Sequence, residues 1–376
     1  MKYRSSSAFK HNQADKIGVL ITNLGTPDAP TPKALRKYLA EFLSDPRVVE
    51  IPRLIWLMIL HGIILRVRPA KSAKAYQSVW SDNGSPLLVH TQEQAHALQN
   101  YFQSEESDFQ RTKEHTECKT QKTADSNILV DFAMRYGTPS ITDTIESMLS
   151  RGVRKLLVVP LYPQYSATTT ASTFDAIAKD FKERRWLPDL RFVTHYHDHD
   201  AFITAACKRI QEYWDQHGRA DRLILSFHGI PKRNLLEGDP YYCECQKTSR
   251  LMIEKLGVDP ETVMTTFQSR FGKQEWLKPY TDETLRSLPA KGVKSVQVFC
   301  PGFSADCLET IEEIAVENRD YFLEAGGESY DYISALNARE DHIAALAEII
   351  RENLQGWKAQ PDESRHSRAK SLGAER

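Results

Sequence analysis

The sequence predicts an α/β protein made of two similar halves, each built on a parallel sheet, facing one another across a cleft. Three observations predict it. Strand-like apolar runs alternate with helical stretches along the chain, the pattern of parallel βαβ units. Three short sequence matches recur in the same order in the two halves. The length, 376 residues, is enough for two domains of ordinary size.

In chain order, IGVLITNL (17–24), ILVDFAMRY (128–136), KLLVVPLYP (155–163) and RFVTHY (191–196) read as the strands of the first half. RLILSFHG (222–229), TVMTTFQS (262–269), SVQVFCPG (295–302) and YISALN (332–337) follow as those of the second. Their near-continuous apolar character suits strands buried on both faces. After the first strand comes LIWLMILHGIIL (54–65), flanked by Arg53, Arg66 and Arg68. Spanning a bilayer takes roughly 20 apolar residues, so this run, interrupted by His61 and Gly62, is too short. It reads either as a buried core helix or as an exposed apolar lip that meets a membrane or a greasy substrate. The polar segment 104–126 reads as a flexible surface insertion, and the chain from Lys358 onward as a disordered tail.

Composition narrows the function. A net charge of −1 lacks the basic excess of a general nucleic-acid binder. Six scattered cysteines do not make a disulfide framework at this length. The first sixteen residues hold no apolar run of the signal-peptide kind, which leaves a reducing, cytoplasmic setting as the expectation. NLGTPDAPT supplies one glycine where a dinucleotide fingerprint needs three, and no Walker-type loop occurs, so a nucleotide-dependent enzyme is disfavoured.

The repeat pairs VLITNLGTP (19–27) with LILSFHGIP (223–231), MRYG (134–137) with SRFG (269–272), and LYPQYSATTTA (161–171) with FCPGFSADCLE (299–309). It aligns His228 with Leu24 and Glu309 with Ala171, so the polar pair belongs to the second half only. The expectation is a cleft with one greasy wall for a flat hydrophobic ligand and one reactive wall. His228 ends a buried strand, where open α/β sheets put their chemistry, and the turn at Gly229 and Pro231 brings backbone close to a ligand. Glu309, Glu313 and Glu317, spaced by four, form an acidic stripe on one face of an expected α-helix. An imidazole beside a ladder of carboxylates suits a divalent cation and the uptake of protons. HYHDHD (195–200) reads as solvated histidines with Asp198 or Asp200 capping a helix, and CEC (243–245) as helix-surface thiols.

At these residues the chain closely resembles the ferrochelatases, in the proteobacterial form, which insert ferrous iron into protoporphyrin IX to complete haem. The resemblance runs from about residue 17 to 356 and includes NLGTPDAPTP, FLSDPRVVE, GSPL, MRYG, PLYPQYS, SFHGIP, GDPYY, TFQSRFG, WLKPYTDETL, PGFSADCLETIEEI and ALNA. It implies two Rossmann-like domains with parallel sheets related by approximate twofold symmetry. The expected division gives 17–165 with 331–356 to the first domain and 166–330 to the second, with 1–16 and 358–376 disordered. It implies His228 and Glu309 as catalytic and metal-binding residues, and Glu313 and Glu317 as an outward relay. Leu24, Arg135, Tyr136, Tyr165, Ser166, Tyr196 and Phe303 fall where the family lines its porphyrin cleft, with 51–68 as a lip. Fe²⁺ is then a substrate and no cofactor is required. Because the last cysteine is Cys307, no [2Fe–2S] cluster is expected. The resemblance further implies peripheral contact with the inner membrane through 54–65 and a transient contact with the preceding haem-pathway enzyme. Competing readings are a chelatase for coproporphyrin or another tetrapyrrole, and a non-catalytic porphyrin carrier.

Overall fold

The computed structural model describes residues 3–4, 15–112, 127–272, 274–357 and 364–373. All eight expected strands form, in two four-stranded parallel sheets. The first sheet holds β1 (Lys16–Thr26), β2 (Ile128–Gly137), β3 (Val153–Pro160) and β4 (Asp189–Phe192), in the order β2-β1-β3-β4. The second holds β5 (Arg222–His228), β6 (Val263–Gln268), β7 (Ser295–Phe299) and β8 (Ser329–Ile333), in the order β6-β5-β7-β8. The orders are the same, so the internal repeat is a repeat of topology. β1 and β5 are the equivalent central strands.

Helices connect them. Ahead of β2 come α1 (Pro32–Leu43), α2 (Arg53–Ile59), a π-helical turn (Leu60–Ile64), α3 (Leu65–Val79) and α4 (Pro86–Thr112). Thr31 opens α1 by accepting from the Ala34 N–H, with Pro32 in the first turn where its missing donor costs nothing. Then follow α5 (Ile141–Ser150), a second π-helical turn (Ala167–Ala171), α6 (Ser172–Lys182) and α7 (Asp200–His217). The second half adds α8 (Lys232–Leu236), α9 (Tyr241–Leu256), α10 (Thr281–Ser287), a third π-helical segment (Glu309–Asn318), α11 (Arg319–Glu324), α12 (Glu340–Leu354) and α13 (Arg365–Ser371). The second and third π-helical segments follow β3 and β7, the same place in the repeat.

The largest apolar cluster runs between the sheets. It joins Ile17, Val19 and Ile21 of β1 to Leu223, Leu225 and Phe227 of β5 through Leu98, Phe202, Ile210, Leu346 and Ile350 on α4, α7 and α12. Smaller clusters close the outer faces, under α5 and α6 on one side and under α10 and α11 on the other.

Several expectations need correction. The division at 165/166 is too early, because β4 pairs with β3 in the first sheet. The division at 330/331 cuts β8, which pairs with β7 over Ser329–Ile333. The strand expected at 332–337 stops early because the Ala335 N–H turns to Asp306 instead of a neighbouring strand. Of the segment 104–126, residues to 112 extend α4, whose run QSEESDFQRT has no glycine or proline to stop it, and 113–126 lie outside the described residues. In the expected N-terminal tail, Arg4 is tied down by Asp180 at 2.7 Å and by backbone bonds to Glu183 and Arg185. In the C-terminal tail, Arg365–Ser371 is helical, and 358–363 and 374–376 lie outside the described residues.

Candidate active site

Each central strand has a glycine at its C-terminal end, Gly25 inside β1 and Gly229 just past β5, that lets two backbones touch. A Cβ on Gly25, at φ +111°, would sit 1.8 Å from the Tyr136 carbonyl oxygen. A Cβ on Gly229 would sit 2.8 Å from the Gln268 oxygen that accepts its own N–H. Only glycine leaves room for that approach. His228, half-buried just before Gly229, has Nδ1 2.6 Å from the Gly229 carbonyl. A carbonyl can only accept, so Nδ1 carries the proton of the neutral ring and Nε2 keeps a free lone pair. The ring lies 6.5 Å from that of Phe303.

Glu309 opens the third π-helical segment, not an α-helix as expected. The i→i+5 bonding widens each turn, so a spacing of four falls slightly short of a revolution instead of slightly beyond it. The carboxylates still share one side. Glu309 lines a pocket with Leu24, Tyr38, Tyr76, Cys307 and Leu308. The apolar residue of the first half therefore meets the carboxylate of the second, while His228 stands outside that lining, beside Phe303. Burial, followed by the Glu309 charge, pushes the Tyr76 phenol well up.

Glu313 accepts from the Ser269 N–H at 2.7 Å and from the Ser269 hydroxyl. Burial raises its carboxyl to about 7, helped by Glu309 and Glu317 and opposed by Ser269. Ser269 makes these bonds from a left-handed backbone, φ +67°, sparsely populated for a side chain of its kind. Glu317 is exposed and accepts from the Tyr321 hydroxyl. Glu312 is raised too, by burial first and by Glu317 next, with Lys71 opposing.

Two braces hold the loop between β7 and Glu309. Gln268 donates to the Glu309 carbonyl at 3.2 Å while its own oxygen accepts from Ser226. Asp306, buried, accepts from Tyr332, Thr310 and Asn337. Asn337, at φ +46°, also accepts from the Asp306 N–H, and Gln94 of α4 ties Ser304 to Asn337 from the first half.

On the opposite side, Asp45 collects Arg135 at 2.6 Å, Tyr136 at 2.8 Å and Ser172 at 2.6 Å. Burial works against its charge, but Ser172, the Arg47 N–H, Tyr136 and Arg135 outweigh it and hold Asp45 below the usual carboxylate range. Tyr136, only 1% exposed, therefore stands behind Arg135 and presents no surface of its own. Ser166 is likewise buried, capping the second π-helical turn and donating to Asp239. Tyr196 is buried against Phe202. Leu24, Arg135, Tyr165 and Phe303 keep part of their surface.

The sequence reading missed Tyr38, Tyr76, Gln268, Ser269, Asp306 and Asn337. The last four lie in TFQSRFG, PGFSADCLETIEEI and ALNA, so the signal was the motif without a role attached. Two smaller readings also change. The residue before α7 is His199, which makes no side-chain cap, so neither Asp198 nor Asp200 caps that helix. Cys243 is exposed but Cys245 is buried, since residues two apart lie on different sides of a helix.

The profile of the ferrochelatase family matches residues 16–354. The chain belongs to the ferrochelatase family. The ferrochelatase of Idiomarina loihiensis is 62% identical over 370 residues, covering 98% of this chain and 97% of that one. That of Marinobacter nauticus is 60% identical over 357 residues, 95% and 92% of the two chains, and that of Pseudoalteromonas atlantica 59% over 362 residues, 96% and 95%. Among solved structures, SirB from Bacillus subtilis covers 92% of this chain and all of its own at 13% identity and a TM-score of 0.47, too distant to bear on the site. The expected family and the metal-inserting lyase class are borne out, as is the fold of two parallel sheets with flanking helices. Among the described residues no helix is long and apolar enough to cross a membrane.

Proposed function

We propose that this ferrochelatase-family enzyme inserts Fe²⁺ into protoporphyrin IX at the cleft between its sheets, with His228 and Glu309 as the reacting groups. The observation that carries the assignment is the graded carboxylate line: Glu309 in a pocket against Leu24, Glu313 titrating about 7, Glu317 in solvent. The reaction exchanges two pyrrole N–H protons for the cation, with no redox change. A flat macrocycle turns its nitrogen lone pairs inward, so binding energy from the periphery serves to bend it toward a metal-accepting shape. His228 Nε2, with its free lone pair, accepts a proton leaving the ring. Glu309 shares in proton removal or holds the cation as its water is stripped. Glu313, half-ionised near neutral pH, passes protons in either direction to Glu317.

Leu24, Tyr165 and Phe303 supply surface to the ring, and Arg135, locked by Asp45, supplies charge for a propionate. Tyr136, Ser166 and Tyr196 position these from behind. No organic cofactor or iron–sulfur cluster enters the scheme. The lip is exposed and apolar: Leu54, Met58, Ile63 and Val67 face outward beside Arg53, Arg66 and Arg68, while Trp56, Leu60 and Leu65 anchor it. That supports an enzyme at the cytoplasmic surface of the inner membrane, taking porphyrin from the lipid or from the preceding haem-pathway enzyme.

The test is anaerobic incubation with Fe²⁺ and protoporphyrin IX, following porphyrin fluorescence and haem absorbance. His228→Ala and Glu309→Gln should each lower turnover by at least ~10²-fold while porphyrin still binds. Near-normal turnover in either variant removes that residue from the chemistry. Faster insertion into coproporphyrin than into protoporphyrin would reassign the substrate.

A further inference from the structure

Away from the cleft, the motif HYHDHD and the helix carrying CEC come together. In the extended segment after β4, His195 and His197 point to one side and Tyr196, between them, to the core. Glu244, in the first turn of α9, lies against both imidazoles. His195 Nδ1 is 2.8 Å from Glu244 Oε1, and His197 Nδ1 is 3.3 Å from Glu244 Oε2. One ligand atom from each of the three residues falls within 4.8 Å of the other two.

We propose that His195, His197 and Glu244 bind a first-row divalent cation of the zinc and ferrous-ion class. Two imidazoles and one carboxylate are a donor set for such ions, and three ligands leave positions open to water. Two observations beyond the clustering point to a ligand. His197 is only 6% exposed, yet its Nδ1 makes no hydrogen bond, although a buried nitrogen ordinarily finds a partner. Glu244 is buried as well, and among the described residues its only ion-pair partners are these two imidazoles. The nearby Lys247 ammonium is taken by Asp198 at 2.5 Å. Burying a carboxylate is costly unless it is paired, and a cation held here would add positive charge directly beside it. His195, about half exposed, leaves the ion an entry route.

The site is separate from the Glu309 stripe, but it touches the loop that carries Tyr165. Glu244 Oε2 accepts the Tyr165 N–H at 2.6 Å, so an ion here would share its carboxylate with that loop. The inference does not depend on the reaction assigned above.

The experiment is binding of Zn²⁺ to the metal-free full chain by equilibrium dialysis, with Co²⁺ absorbance reporting the coordination. Wild type should bind one equivalent that His195→Ala and Glu244→Gln each weaken about 10-fold or more, and that Glu309→Gln leaves intact. His195 is at the surface, so its variant keeps the fold, and circular dichroism checks the Glu244 variant. The proposal is overturned if His195→Ala binds the same number of zinc ions as tightly as wild type. It is equally overturned if Glu309→Gln alone abolishes that equivalent.

Discussion

Glu313 holds its proton to about pH 7 because burial disfavours its charge and because Glu309 and Glu317 stand along the same segment. Its ordinary value is 4.5, so the folded protein binds this proton more tightly than the unfolded chain does. The sign follows from linkage: the side chain costs no stability below about pH 4.5, costs progressively more as pH rises toward 7, and levels off above. At about 1.4 kcal/mol per unit, the full penalty is up to about 3 kcal/mol. Glu313→Gln, which cannot ionise, should therefore gain on wild type by up to about 3 kcal/mol between pH 4 and pH 8. Urea unfolding at the two pH values measures it, and a gap that stays constant means the carboxyl titrates normally. Ser269 works in the opposite sense, since its N–H and hydroxyl favour the carboxylate. A non-glycine residue in the left-handed region at that place makes sense if the bonds to Glu313 offset the backbone cost.

At the scale of elements, the Glu309 loop keeps its place because other segments hold it. Asn337→Ala removes the side chain that both donates to the buried Asp306 carboxylate and accepts from its N–H, at a position where alanine also tolerates φ poorly. A cost of about 1–3 kcal/mol in chemical denaturation is expected, and an unchanged midpoint would mean the loop is held without this brace. The lip behaves differently, because Leu54, Met58, Ile63 and Val67 on its outer side are largely exposed. Leu54→Ser with Met58→Ser should leave the melting temperature alone and weaken binding to anionic vesicles by ~10-fold or more, since each buried side chain of this size is worth about 1.5–3 kcal/mol. Unchanged vesicle binding would assign the lip to porphyrin alone. These elements also show how far the sequence could be read. The strands were legible because burial on both faces leaves unbroken apolar runs, and the topological repeat was legible through its glycine turns. The exposure of Leu54 and the burial of Trp56 were not, since apolar pattern alone does not say which side is covered. Nor was the π-helical form of ETIEEIAVEN, whose spacing of four fits an α-helix equally well. Tyr38 sits on an ordinary amphipathic helix and Tyr76 on one with little apolar pattern, and only tertiary packing brings them to Glu309.

Across the whole molecule, the two halves share one interior. The faces of β1 and β5 that look toward each other are covered by the same helices, α4, α7 and α12, and a single apolar cluster runs through all five elements. α12 follows the last strand of the second half yet packs on α4 of the first and on α7 between them. Removing either half would expose the inner faces of those helices, a loss that neither outer cluster replaces. Duplicated folds joined by a linker can unfold one half at a time, but this arrangement couples them. Unfolding should therefore be one cooperative transition, with tryptophan fluorescence and far-ultraviolet circular dichroism giving coincident curves. Residues 16–217, which carry the entire first sheet together with α7, should not fold alone, because Phe202, Ile210 and Trp214 would face water instead of β5 and α12. Two separated transitions, or a cooperatively folded fragment, would show that the shared layer is not what unites the halves. The catalytic proposal needs that unity: Leu24 belongs to one sheet and Glu309 to the other half of the chain, and their pocket, where Leu24 and Leu308 pack with Tyr38 and Tyr76, exists only while the two halves stay together.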